Sequence, residues 1–176
     1  SNSGISSNER SETMVQSWNT FQARTLSFGQ QWTLKNLGLF EPSRSDARTH
    51  PIIQLESDRF APFSTQQFSR SYTFFLRAYP YGVDERSRLY FGLSLCIDRS
   101  KCSSQIVHVR YRFSLVDGSG NNNKIYAPKN GEAREDHFDA SSEIRMDKFI
   151  SHHDLRKLMS TCGGEDLLTI LCEVSV

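Results

Sequence analysis

An all-β fold, an antiparallel β-sandwich of about seven to eight strands with one short helix near 151–162, is predicted by three features of this chain. Apolar and polar residues alternate strictly in several runs, the mark of strands with one buried face. Clusters of Pro, Gly, Asn and Asp separate those runs. The 176 residues include 12 Phe and 6 Tyr, aromatic types that suit a pleated, half-buried surface.

The strongest pair of strands is 72–79 and 89–97. In the second, Leu89, Phe91, Leu93, Leu95 and Ile97 fall on one side, and Tyr90, Gly92, Ser94 and Cys96 on the other. The break between them starts at Pro80-Tyr81-Gly82, since proline donates nothing to a ladder and glycine tolerates positive φ. Upstream, strands are expected at Trp18 to Leu26, at Gln31 to Phe40 with Trp32, Leu34 and Asn36 on one side, and at Ile52 to Leu55. The polar stretch 41–51 between Pro42 and Pro51 reads as a loop, and Phe60 and Phe63 offer nearby loops a hold on the core. Downstream, Ile106 to Val116 alternates Val107, Val109, Tyr111, Phe113 and Leu115 with His108, Arg110, Arg112 and Ser114. Cations at every second position make that second face solvated or a binding surface. A turn at Asp117 to Asn121 leads to a returning strand, Lys124 to Ala127. Residues 128–142 read as irregular apart from Phe138. Ser151 caps the helix, with Asp154 completing the capping-box spacing, and Gly163-Gly164 is expected to end it. Leu167 to Val176 closes the fold.

One domain, 17–176, is expected after a polar tail at 1–16, whose first four residues look like an expression remnant. With 21 basic and 20 acidic residues, whole-chain charge favours neither nucleic acid nor an anionic membrane. No apolar run approaches the roughly 20 residues of a membrane span, and no signal-peptide pattern opens the chain. The four cysteines, Cys96, Cys102, Cys162 and Cys172, lack C-x-x-C spacing and a His at ligand distance. They read as reduced thiols of an intracellular protein, nuclear or cytoplasmic. A secreted module with two disulfides is the alternative.

Catalytic patterns are missing: no G-x-S-x-G, no phosphate-cradling glycine loop followed by Lys, no H-E-x-x-H. Gly118-Ser119-Gly120 reads as a turn, His152-His153 beside Asp154 as a solvated helix start, and Asp84-Glu85 among Arg86 and Arg88 as a solvated charged loop. Cys162 lacks an activating helix N-terminus. No enzyme, cofactor or metal site is expected.

The string from Phe75 to Tyr90, FLRAYPYGVDERSRLY, resembles the MATH (TRAF-like) domain, and its second half is similar to the speckle-type POZ protein group of MATH–BTB proteins. Ser17-Trp18, Ser27-Phe28, Trp32-Thr33 and Asn36 agree with that family's opening strands. Tyr111 to Leu115 and Leu168 to Val176 agree with two later ones. The resemblance covers about 17–176. It implies the substrate-recognition half of an adaptor for a cullin-type ubiquitin ligase, holding short, extended Ser/Thr-containing peptides in a shallow groove. Cullin binding would belong to a BTB domain, expected after Val176. The isolated domain is expected to be monomeric.

Carried over position by position, the family's groove falls on Tyr111 and Phe138 as aromatics, on Ser94 where the family has tyrosine, and on Ile144 to Phe149 for its Trp-Gly-Phe-Lys-Lys-Phe motif. Ile144 and Met146 thus replace aromatics and Asp147 replaces a lysine, with Asp136 and Glu143 nearby. The expectation is a groove with aliphatic walls in an acidic neighbourhood, preferring a peptide with a basic residue. Strand parity offers another assignment: Tyr111 as core beside Val109 and Phe113, Ile144 and Met146 as packing beside Phe149, Phe138 as a loop anchor, Ser94 as merely small, and the acids as ordinary surface groups. Other functions compatible with the resemblance are a TRAF-type signalling adaptor, the MATH module of a deubiquitinating protease, an extracellular module related to meprin, or a MATH fold with a divergent, non-peptide interaction surface. Residues 1–16 show no heptad to support trimerisation.

Overall fold

Alternation along the long strands is realised as two antiparallel sheets packed face to face. The computed structural model describes residues 18–26, 28–36, 52–62, 72–100, 105–118, 124–128, 131–162 and 165–176. The expectations for residues 1–16, Phe63, Cys102 and Gly163-Gly164 lie outside these. Sheet A runs β1 (Trp18–Leu26), β2 (Gly29–Asn36), β11 (Glu165–Ser175), β6 (Val107–Asp117), β7 (Lys124–Tyr126), with β8 (Arg134–Phe138) also on β6 and β10 (Ser160–Cys162) on β11. Sheet B runs β3 (Leu55–Glu56), β4 (Phe74–Tyr79), β5 (Tyr90–Ile97), β9 (Glu143–Ser151). Eight of these strands have five or more residues, within the expected range, but the set differs: β3 and β7, both expected, are short, whereas β8, β9 and the short β10 were not expected as strands.

The core is built from the inward positions of both sheets. Trp32, Leu34, Phe113, Leu115, Leu168 and Ile170 of sheet A meet Phe74, Leu76, Phe91, Leu93, Leu95 and Phe149 of sheet B, all buried. Each such side chain contributes about 1.5–3 kcal/mol by leaving water. Glycine is required at two close approaches. A Cβ on Gly29 would lie 1.7 Å from the Cys172 carbonyl oxygen. Gly82 has φ +76°, as its place in the 80–82 turn predicts.

Several expectations are corrected. β5 is buried on both faces, because Ser94 and Cys96 on its outer side are 0% and 1% exposed. Residues 134–138 form a strand rather than irregular chain; as an edge strand its first four residues are exposed and carry no apolar alternation. The strand expected from Ile52 shrinks to Leu55–Glu56. The helix, α1, spans only His152–Leu158, and the chain then turns extended at Met159 and pairs with β11. Its last carbonyl, that of Leu158, accepts from the Gly118 N–H at 2.8 Å, which replaces the expected glycine terminus. Ser151 caps α1 as predicted, its hydroxyl accepting from the Asp154 N–H. His152 is buried rather than solvated, with Nε2 2.7 Å from the Pro80 carbonyl oxygen and Tyr81 packed edge-on against its ring. Asp84 is no idle loop acid. Its carboxylate caps a 3-10 turn, Glu85–Ser87, accepting from the Ser87 N–H and hydroxyl at 2.9 and 2.8 Å.

Candidate functional site

At one corner of the sandwich the chain leaves β8 in sheet A at Phe138 and enters sheet B as β9 at Glu143. Arg99 braces this crossing by donating to the carbonyls of Gln105 and Asp139. Among the described residues β9 is the last strand of sheet B and pairs with β5 alone. Its register fixes which backbone groups face outward. The Ile97 N–H donates to the Ser142 carbonyl, and Ile144 and Met146 oppose Leu95 and Leu93 two and four residues along. In an antiparallel ladder hydrogen-bonded pairs alternate, so Ile144 and Met146 bond to β5 while the amides and carbonyls of Glu143 and Arg145 point to the open edge. Consistently, the Ser141 hydroxyl folds back onto both backbone groups of Glu143, accepting from its N–H and donating to its C=O at 3.3 and 3.2 Å.

The side chains of β9 divide between two faces. Ile144 and Met146 point inward, half-buried and buried against the core. Glu143, Arg145 and Asp147 point outward with Phe75, Arg77 and Tyr79 of β4 and Ser94 of β5. The strand is irregular beyond Met146, where Phe91 pairs with Ile150 and Leu93 with Met146. That bulge sits over Gly92, whose added Cβ would meet the Met146 and Asp147 carbonyl oxygens at 3.3 Å.

Glu143 is the hub of the outer face. It accepts from the Ser94 hydroxyl at 2.5 Å, the Tyr79 hydroxyl at 2.6 Å and Arg77 Nη1 at 3.1 Å. Burial opposes its charge, but these donors and the Arg77 charge outweigh it and hold the carboxyl below its ordinary range. Arg77 also binds Glu56 at 2.8 Å, and Arg59 stacks its guanidinium 3.7 Å from the centre of the Phe75 ring. Burial and the Glu143 hydrogen bond push the Tyr79 phenol up. Asp147 accepts from Arg145 Nε at 2.6 Å, and Arg145 lies over the Tyr79 ring. The acidic neighbourhood expected from the sequence is therefore largely neutralised, by Arg77 and Arg145. Asp136 is the acid of the set with no Arg or Lys ion pair among the described residues; the one ion pair recorded for it is with His137, at 3.9 Å.

The remaining predicted residues are distributed as follows. Phe138 is 1% exposed and stacks on Phe74 in the core, so it is neither a loop anchor nor a surface contact. Tyr111 is 3% exposed beside Phe113, as parity required; burial and the Asp136 charge push its phenol up. Ser94 is sealed beneath Glu143 and serves the network rather than a ligand. Asp136, Ile144, Met146 and Asp147 remain on or near the β9 edge. Arg77, Tyr79 and Arg145 were missed as partners of the acids. The alternation Phe75-Leu76-Arg77-Ala78-Tyr79 carried the signal, since it sets Arg77 and Tyr79 on the face opposite Leu76 and Ala78.

The arrangement offers an open strand edge with an aliphatic side, a charged side and a rigid scaffold; no His, Cys, Asp and Glu trio suited to a metal converges among the described residues. A family model described as the MATH domain matches residues 53–174. The chain is also 24% identical over 160 residues to mouse TD and POZ domain-containing protein 3, an alignment covering 91% of this chain and 39% of that protein. It therefore spans about two-fifths of that relative's length. With the model matching most of its residues, two packed antiparallel sheets and the Phe75–Tyr90 signature, this chain belongs to the MATH domain family.

Proposed function

We propose that this domain selects partner proteins by pairing an extended peptide along the open edge of β9, as the recognition half of a MATH–BTB adaptor for a cullin-type ubiquitin ligase. The observation that supports the reading is the outward backbone of Glu143 and Arg145 on a strand with no second partner in its sheet among the described residues. A peptide added there gains main-chain hydrogen bonds, and its alternate side chains fall on opposite faces. One set meets Ile144, Met146 and the margin occupied by Asp136. The other meets Arg145 and Asp147. Ser141, which now occupies the Glu143 backbone, gives way to the peptide as an edge cap would. The preferred ligand is a Ser/Thr-containing segment with one basic residue directed at Asp136. The buried free thiols Cys96 and Cys172 suit a nuclear or cytoplasmic setting.

The test is binding of immobilised peptides by Arg145→Pro. Proline removes the outward N–H while the β5 ladder, built from Ile144 and Met146, keeps its bonds. Loss of one interfacial backbone hydrogen bond, about 1–1.5 kcal/mol, weakens binding about tenfold. Arg145→Ala, which keeps the amide, separates the backbone from the side chain. Equal binding by Arg145→Pro and wild type would remove the edge-pairing reading. The ligase assignment is tested separately, by co-purification of cullin with the full-length protein.

A further inference from the structure

The outer face of sheet A carries a second arrangement, on β6 and β8. Register places His108 of β6 directly opposite His137 of β8. Their ring centroids are 5.7 Å apart with the planes at 46°. Both side chains are exposed, yet the backbone under them is fixed by five consecutive pairs from Val107↔Phe138 to Tyr111↔Arg134, with Val107, Tyr111 and Phe138 buried. Two imidazoles are thus presented by a rigid ladder rather than by a loop.

A first-row divalent ion bonds imidazole nitrogen at about 2.0–2.1 Å, which places each ring centre about 3.2 Å from the ion. Centroids separated by 5.7 Å then subtend about 125° at that ion, and closure by about 0.5 Å brings the angle to the tetrahedral value. Side-chain rotation alone supplies that movement. The carboxylate of Asp136 lies near the pair. Its Oδ1 is fixed by the His137 backbone N–H at 2.8 Å and lies 3.9 Å from His137 Nδ1. At that distance the carboxylate makes no hydrogen bond to the ring; what it adds is negative charge near a bound cation. Glu135, two residues before His137 on the same face and opposite Arg110, does not converge with the pair into a trio, so the described chain supplies two ligands.

We propose that His108 and His137 form a cross-strand chelate for a first-row divalent transition cation, with affinity rising from Zn²⁺ and Ni²⁺ to Cu²⁺. Water, or a residue from a bound partner, fills the other positions. Binding ties the edge strand β8 to β6.

Tag-free protein titrated with ZnCl₂ and followed by NMR of the imidazole protons tests this. The His108 and His137 resonances should move together with one equivalent bound and a sub-millimolar dissociation constant, while those of buried His152 stay fixed. His108→Gln and His137→Gln, both at exposed positions, should each weaken NiCl₂ binding by calorimetry at least about tenfold. Two unmoved rings at millimolar ZnCl₂, or wild-type NiCl₂ affinity in either variant, would overturn the proposal.

Discussion

Replacing Glu143 by Ala removes the acceptor for three donors at once. Ser94 and Tyr79, 0% and 4% exposed, would keep hydroxyls with no water to take over, and each stranded donor costs about 1–3 kcal/mol. Arg77 retains Glu56, so its loss is smaller. Against this, the half-buried carboxylate itself carries a desolvation cost that its removal relieves. The net is a destabilisation of about 2–4 kcal/mol, or about 5–12 °C in Tm for a domain of this size. Glu143→Gln keeps a carbonyl acceptor but loses the charge facing Arg77, and should fall by about 1–2 kcal/mol. The pH dependence has a definite sign. The Glu143 carboxyl is held below its ordinary range in the folded state, so its contribution is complete above the unfolded carboxylate pKa, near 4.3, and is lost as pH falls through the folded value. Urea denaturation of wild type and Glu143→Gln at neutral pH and at about pH 3 should therefore show curves that converge on acidification. A Glu143→Ala variant within about 0.5 kcal/mol of wild type, or a gap that widens at low pH, would refute the hub.

Two further outcomes follow from burial and backbone geometry. Phe138→Ala should cost about 3–5 kcal/mol by opening a cavity beside Phe74, so any loss of partner capture should track unfolding measured by circular dichroism rather than a specific contact. Gly82→Ala combines a left-handed φ with a Cβ 2.2 Å from the Ser87 carbonyl oxygen. It should lose more than about 2 kcal/mol in urea denaturation by breaking the turn that links β4 to the Asp84-capped segment.

The strands most legible in the sequence were those whose inward face is large and unbroken: β5, β6 and β11 show it in every second residue. β8 was not legible. Its residues Arg134 to His137 are all exposed at a sheet edge, where nothing selects apolar alternation. β9 was obscured by its bulge, which makes Phe149 and Ile150 buried neighbours and so breaks the period of two. Polar residues on the outer face of β5 suggested solvent; Ser94 is instead buried by a cross-strand network involving Arg77, Tyr79 and Glu143, partners separated by up to 66 residues in sequence. Of the expected groove positions, Glu143, Ile144, Met146 and Asp147 lie together on β9. Phe138 misled because an isolated aromatic among polar neighbours looks like a contact residue, whereas an edge strand that closes a sandwich needs one inward anchor.

The reading of this domain turns on whether β9 takes an added strand. Hydrogen–deuterium exchange at the Glu143 and Arg145 amides, with and without a saturating Ser/Thr-containing peptide, measures that directly. Outward amides covered by a peptide should become protected while those of Ile144 and Met146, already bonded to β5, change little. Unchanged exchange at Glu143 and Arg145 under saturating peptide would contradict the account.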